Sequence, residues 1–201
     1  NFLNNARIEL ANKNFMRLGH IVEYDFSYRG TKDQKWGNTV RYKVNSAFGS
    51  HFDFLGYYQN DYSAKQIWGS LDRQFLTSRI KWAGGFTVGR VYRADVLPDV
   101  NIIHQDVPFN YHAFDVWVGK SFLLNTRHNY NRNFYITGRF LNTIFNARPV
   151  VSSDSNQFYY NRRNYFGSLI FRKLRYYKAN LIYDFGRTED IPSGFYSALT
   201  F

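Results

Sequence analysis

The sequence predicts an all-β protein, an antiparallel up-and-down β-barrel that crosses an outer membrane. Three observations carry that expectation. Polar and apolar residues alternate in long runs, and successive side chains on a strand point to opposite faces. Aromatic residues make up 20% of the 201 residues, with 17 Tyr, 20 Phe and 4 Trp. The connections alternate between brief and long, as the periplasmic turns and external loops of outer-membrane barrels do. About ten strands are legible, and the last is shorter than the roughly 9–11 residues of a crossing. A sheet left open in lipid would strand backbone polar groups, so further strands or a partner chain are expected to complete a larger barrel.

The first run, Phe15–Tyr28, sets Met16, Leu18, His20, Val22, Tyr24, Phe26 and Tyr28 against Arg17, Gly19, Ile21, Glu23, Asp25 and Ser27. It is far longer than the five or six residues of an ordinary strand, enough to cross a bilayer with overhang. The second, Gly37–Phe48, sets Val40, Tyr42 and Val44 against Thr39, Arg41 and Lys43. The third, His51–Gln59, is less clean, because Leu55 and Tyr57 lie opposite Phe52, Phe54 and Tyr58. The fourth, Gln66–Phe75, opposes Ile67 and Leu71 to Ser70 and Asp72. A tight turn at Leu76–Arg79 leads to a fifth strand reaching Arg93, with Trp82, Phe86 and Val88 opposite Lys81, Ala83, Thr87 and Gly89.

The sixth, Ala113–Phe122, turns Phe114, Val116 and Val118 outward, and the seventh, Asn133–Phe145, does so with Phe134, Ile136 and Phe140. The eighth, Tyr165–Lys173, carries Leu169 and Phe171 against Ser168 and Arg172. The ninth, Tyr177–Phe185, follows a brief link at Leu174–Tyr176, and the tenth is Phe195–Phe201. Longer connections are expected at Arg29–Trp36, Arg93–His112, Asn146–Asn164 and Gly186–Gly194. The link Leu123–Arg132 is long for a periplasmic turn. No internal repeat or linker divides the chain, which reads as one domain.

Composition removes several classes. An apolar fraction of 44% excludes a disordered chain, and zero Cys excludes disulfides, thiolate metal sites and cysteine nucleophiles. No apolar run approaches the roughly 18 residues of a membrane helix, and the mean hydropathy is negative. A barrel tolerates this, because only alternate residues face lipid. The formal charge of +11 is spread along the chain rather than gathered on one arm, which disfavours nucleic acid. Attraction to phosphate-bearing lipopolysaccharide and a wet lumen lined with both signs stay open. The chain begins at Asn1 without a signal peptide, as a mature protein or a piece of one would.

The residues Gly167–Arg172, Arg175–Lys178 and Asp184–Gly194 resemble the barrel of bacterial surface-antigen outer-membrane proteins, the superfamily of the BamA assembly factor. Arg73–Leu76, Lys81–Gly85 and Asp115–Gly119 are similar to a branch that often carries an envelope regulatory domain before the barrel. The likeness runs from about Gly37 to Phe201, and its most specific part is Thr188–Gly194. It implies a Gram-negative outer-membrane protein acting in transport, membrane-protein insertion or surface attachment. The family's Val-Arg-Gly-Phe/Tyr tetrad is absent, since Arg29–Gly30 is followed by Thr31. In that family more strands follow the Glu189–Pro192 stretch, so Phe201 is expected to precede further strands; the alternative is a natural terminus at Phe201. A self-contained small barrel serving as anchor or adhesin remains open. So does a soluble ligand-binding barrel, because alternation alone does not say which face points inward.

Expected lumen-facing residues are Arg17, Glu23, Asp25, Arg41, Lys43, Lys81, Arg139, Arg172, Lys178 and Asp184. Their opposite charges suit an internal ion network that plugs the lumen or selects ions, or one that only satisfies a wet interior. Expected lipid-facing residues are Trp82, Phe86, Phe134, Ile136, Phe140, Leu181 and Tyr183. His20 is expected at the membrane interface. His104, Asp106 and His112 share an expected loop with Asp95 and Asp99, where a His/Asp pair would suit acid–base chemistry; the plainer reading is a solvated loop. Metal-ligand spacing such as His-Glu-x-x-His is missing. Gly84–Gly89 lies within a strand with no helix behind it, so it reads as packing or curvature. No catalytic residue, cofactor or metal is expected. Contact with lipopolysaccharide or a protein partner is expected at Arg93–His112 and Asn146–Asn164.

Overall fold

Alternation of this length forms strands, and the strands pair with their sequence neighbours. The computed structural model describes residues 5–32, 34–47, 50–62, 64–97, 105–127, 130–152, 157–180 and 188–201. Ten strands follow in chain order through one up-and-down antiparallel sheet. They are β1 Asn5–Phe15, β2 His20–Arg29, β3 Trp36–Val44, β4 Asp53–Asn60, β5 Ala64–Arg73, β6 Trp82–Leu97, β7 Gln105–Arg127, β8 Tyr130–Ala147, β9 Arg162–Asn180 and β10 Thr188–Thr200. The order ends at β1 and β10, and among the described residues the sheet is not closed. The expected all-β, up-and-down architecture is present. Several of its strand boundaries differ from the expected ones.

The expected strand Phe15–Tyr28 is a hairpin turn followed by β2, with β1 before it. Met16 and Arg17 take φ of 54° and 62°, and Gly19 takes 71°. Positive φ ends a strand, and it is uncommon outside Gly. The turn is held by Arg17 N to the Asn14 carbonyl at 3.0 Å and by Gly19 N to Asn14 Oδ1 at 2.8 Å. Arg17 is therefore a turn residue, which corrects its expected place on a strand face. Alternation did not reveal the turn because the apolar residues keep their phase through it.

The expected link at Leu174–Tyr176 is the middle of β9, paired with Gly194 to Pro192 of β10. The eighth expected strand and the start of the ninth are one long strand, and Thr188–Gly194 is strand rather than loop. Pro192, which donates nothing to a ladder, is tolerated because β10 is an edge of the sheet. Likewise β6 reaches Leu97 and β7 starts at Gln105, so the Arg93–His112 loop is mostly ladder. The Leu123–Arg132 link is ladder too, up to Arg127 and again from Tyr130. Leu181, Tyr183, Asp184, Asp99 and His104 lie outside the described residues.

The residues cluster into two units, described separately: 1–73 with 85–116 and 141–164, and 74–84 with 117–140 and 165–201. In the first unit the register assigns every side chain of β1–β5 to a face. Ile8 lies opposite Phe26, Leu10 opposite Tyr24, Val40 opposite Tyr58 and Tyr58 opposite Ile67. These residues, with Val22, Tyr28, Trp36, Tyr42 and Phe54, make one apolar face. The other face carries Arg7, Glu9, Glu23, Asp25, Thr39, Arg41, Gln59, Gln66 and Asp72.

Glycine is required where β6 passes under Trp68. A Cβ at Gly89 would run into the Trp68 ring and lie 2.8 Å from the Ile67 carbonyl. Gly89→Val is expected to cost about 1–3 kcal/mol, the usual penalty of overpacking. Trp68→Ala in the same chain should recover part of that loss, read as the thermal midpoint in detergent. An unchanged midpoint for Gly89→Val alone would refute the close passage.

Candidate functional site on the polar face

The polar face of β1–β5 holds two ion-paired groups and a run of bonded amides. Arg7 bridges β1 and β2, with Nη2 3.2 Å from Asp25 Oδ1 and Nε 2.8 Å from Glu9 Oε1. Glu9 and Asp25 stand directly opposite each other, a like-charge pair that the Arg7 guanidinium offsets. Glu23 and Arg41 also stand opposite, and Arg41 Nη1 donates to Glu23 Oε2 at 2.7 Å. Arg41 lies 5.7 Å from the centre of the Tyr57 ring. From Tyr57 a run of bonds crosses β4 and β5. Tyr57 donates to Gln59 Oε1 at 2.9 Å, Gln59 to Asp61 Oδ2 at 2.7 Å, Gln66 to Gln59, and Trp68 Nε1 to Gln66 Oε1 at 2.9 Å. Arg7, Asp25, Arg29, Arg41, Tyr57 and Asp61 are among the residues around a polar hollow of about 680 Å³.

The same face turns aromatic toward β7. Trp68 meets Tyr111 edge-on at 6.5 Å, and Tyr111 lies 5.3 Å from Phe145 and 6.2 Å from Phe109. The connection from β8 to β9 folds onto this cluster: Tyr159 sits 5.4 Å from Phe109 and 5.7 Å from Phe145. Arg148 Nη1 donates to the Tyr159 carbonyl at 2.8 Å, and Phe145 N donates to Asn161 Oδ1 at 2.9 Å. The expected Asn146–Asn164 loop is thus a strap pinned to the sheet at its Tyr159 end.

In the second unit the connection from β5 to β6 is pinned in the same way. Phe75 packs 4.8 Å from Tyr135. Asn133 is 1% exposed and spends both amide hydrogens, on the Ser78 carbonyl at 2.9 Å and on Ser121 Oγ at 3.0 Å. Asn131 adds a bond to Ser78 Oγ at 3.0 Å. Arg172 lies 5.3 Å from the Tyr135 ring centre, on that same face.

The expected polar residues divide accordingly. Glu23 pairs with Arg41 and Asp25 with Arg7, Lys43 lies beside Arg41 on the same face, and Arg172 joins the Tyr135 cluster. Arg139 alternates in phase with Tyr135 on β8, and Lys178 lies opposite Asp190. Lys81 stands just before β6, its carbonyl accepting Ser121 N at 2.8 Å. The sequence reading missed Arg7, Glu9, Gln59 and Asn133, and placed Gln66 on the polar face of a strand without assigning it a role. Arg7 and Glu9 sit on the strand it did not identify. Asn133 carries no sequence signal beyond being a polar residue in the inward phase.

On the other face the apolar residues are uncovered. Leu10 is 61% exposed, Ile67 59%, Val118 55% and Leu199 64%; Trp82, Phe86 and Ile136 are exposed as well, and Phe134 and Phe140 are half-buried. Among the described residues the buried hydrophobic side chains are Ala47, Ala83, Val91, Phe109, Ala113 and Tyr135. His20 Nδ1 lies 2.6 Å from the Tyr42 hydroxyl. His112 is half-buried on β7, 3.3 Å from Asn146 Nδ2; Asp95 falls in β6 and Asp106 in β7. Among the described residues no group of three or more His, Cys, Asp or Glu gathers as a metal site would require. Among the described residues no helix is long and apolar enough to cross a membrane, which says nothing of strands. No protein-family model matches the chain, and no curated protein or solved structure matches it.

Proposed function

We propose that this chain is the wall of a Gram-negative outer-membrane β-barrel, of the surface-antigen type and without catalytic activity, whose polar face lines a passage for polar solutes. One observation carries the reading. In the first unit residues that ordinary folding hides from water, Leu10 and Ile67 among them, stand uncovered on one face while the ion pairs gather on the other, and in the second unit Val118 and Leu199 stand uncovered. A soluble sheet would invert that arrangement or cover its apolar face with a second layer. In lipid the uncovered face is the stable one.

The width of the apolar stretch supports the same reading. On β8 the outward positions between Arg132 and Asn142 run Phe134, Ile136, Gly138 and Phe140. Nine residues at about 3.4 Å each, tilted by about 40°, span about 23 Å, close to the ~25 Å apolar band of outer-membrane barrels. Membrane embedding also requires partners for the free edges of β1 and β10, so further strands or a second chain complete the wall. Outer-membrane lipid and lipopolysaccharide are then its surroundings.

The test joins insertion to selectivity. Urea-unfolded protein should fold into phosphatidylcholine vesicles, gaining protease resistance, and should conduct ions in planar bilayers. Glu23→Gln with Asp25→Asn removes two carboxylates from the ion pairs and should shift the reversal potential in a KCl gradient toward anion preference. Failure to insert, or a reversal potential that the double variant does not move, overturns the proposal.

A further inference from the structure

In the second unit the outward phase of β7 carries a cation among its apolar residues. Lys120 follows Val118 and precedes Phe122 in the outward phase of β7. Its ammonium lies 5.0 Å from the Trp82 ring centre and 5.2 Å from that of Phe122. Beside it opens a hollow of about 700 Å³, lined by Arg79, Lys81, Trp82, Lys120 and Phe122 among others, with no carboxylate in its wall. Arg79, Lys81 and Lys120 all contribute to that wall. A second, apolar hollow of about 250 Å³ adjoins Trp82, Lys120 and Phe122 and runs along Val118, Ile136 and Gly138. Gly138 keeps that groove open, because a Cβ built there would meet nothing within 4 Å.

We propose that these two hollows form a binding site for one phosphate-bearing membrane lipid, with the headgroup phosphate among Arg79, Lys81 and Lys120 and an acyl chain along Val118, Ile136 and Gly138. The chemistry is that of an amphiphile: cations attract the anionic headgroup, aromatic rings sit at the level of the interface, and an apolar channel leads away from the charge. A free anion would use only the first hollow, and a plain hydrocarbon only the second. The site rests on the membrane reading, since only embedding brings lipid to this face.

The probe is dioleoyl phosphatidate, compared with dioleoyl phosphatidylcholine, titrated into the full chain in a neutral detergent and read by native mass spectrometry. One phosphatidate per chain should be retained, about tenfold more tightly than phosphatidylcholine. Lys120→Gln and Arg79→Gln should each remove most of that preference. Gly138→Leu should weaken retention of both lipids while leaving the preference, and Lys120→Arg should restore wild-type behaviour. Lys65→Gln, a lysine outside both hollows, should change nothing. Competition by millimolar inorganic phosphate would show an anion pocket and overturn the lipid site. Equal retention of the two lipids, or preference unchanged in Lys120→Gln and Arg79→Gln, would overturn it as well. Insertion into phosphatidylcholine vesicles is scored separately: if the chain inserts without preferring phosphatidate, this inference alone fails, and if it does not insert, both readings fail.

Discussion

Phe86→Arg is expected to block folding into lipid vesicles, whereas Thr87→Arg, one residue away, leaves it close to wild type. Phe86 stands 44% exposed in the apolar phase of β6, and Thr87 alternates onto the face that carries Gly89 and Trp68. An Arg facing hydrocarbon near the middle of a bilayer costs roughly 2–4 kcal/mol, and an Arg facing a wet lumen costs little. The difference between neighbours isolates the face, because strand propensity and added charge are the same in both variants. Folded fraction is read as protease resistance and as the mobility shift between unheated and boiled samples. A soluble barrel, with its apolar face inward, would bury Phe86 and give the same order, but it would fold in buffer without vesicles. Equal effects would remove the face assignment altogether.

Strand character was legible in the sequence because it is written in the period of two. Alternation puts Trp82 and Phe86 in one phase of β6, and Phe134, Ile136 and Phe140 in one phase of β8. Strand ends were much less legible. The Met16–Gly19 turn rests on positive φ at Met16 and Arg17, residues that carry no turn signal, so the alternation ran straight through it. Leu174–Tyr176 read as a break because Arg175 and two tyrosines blur the alternation, yet backbone pairing to Gly194 and Pro192 needs no particular side chain. The same holds where β6 and β7 run on into His- and Asn-rich stretches that composition assigns to loops.

Connectivity within the polar face was illegible for another reason. Periodicity says that Glu23, Asp25 and Arg41 share a face, but not which carboxylate meets which guanidinium. That depends on register, and Glu23 opposes Arg41 only because β2 and β3 pair with Tyr24 opposite Val40. Arg7, which ties Asp25 to Glu9, sits on a strand hidden until the turn is seen. Cross-strand partners are a property of pairing, and a single sequence does not state the pairing.

Asn133 carries the other large expected effect. Asn133→Leu keeps the volume and removes the donors that hold the Ser78 carbonyl and the Ser121 hydroxyl. Ser121 is 6% exposed, so its hydroxyl gains no water in exchange, and a buried polar group left without a partner costs about 1–3 kcal/mol. The Ser78 carbonyl, on a half-buried residue, adds little, so the folded state should lose about 1–3 kcal/mol, above the effect of a surface change. The loss should also be local at first, because these bonds anchor the connection between β5 and β6 to β8. Trypsin should therefore cut at Arg79 faster in Asn133→Leu than in wild type, under conditions where the rest of the sheet stays protected. Asn131→Ala, which removes only the bond to Ser78 Oγ, should give a smaller increase in the same direction. If Asn133→Leu unfolds at the wild-type urea midpoint and Arg79 is cut no faster, Asn133 does not fasten that connection, and the Asn131 bond and Phe75 packing against Tyr135 must hold it.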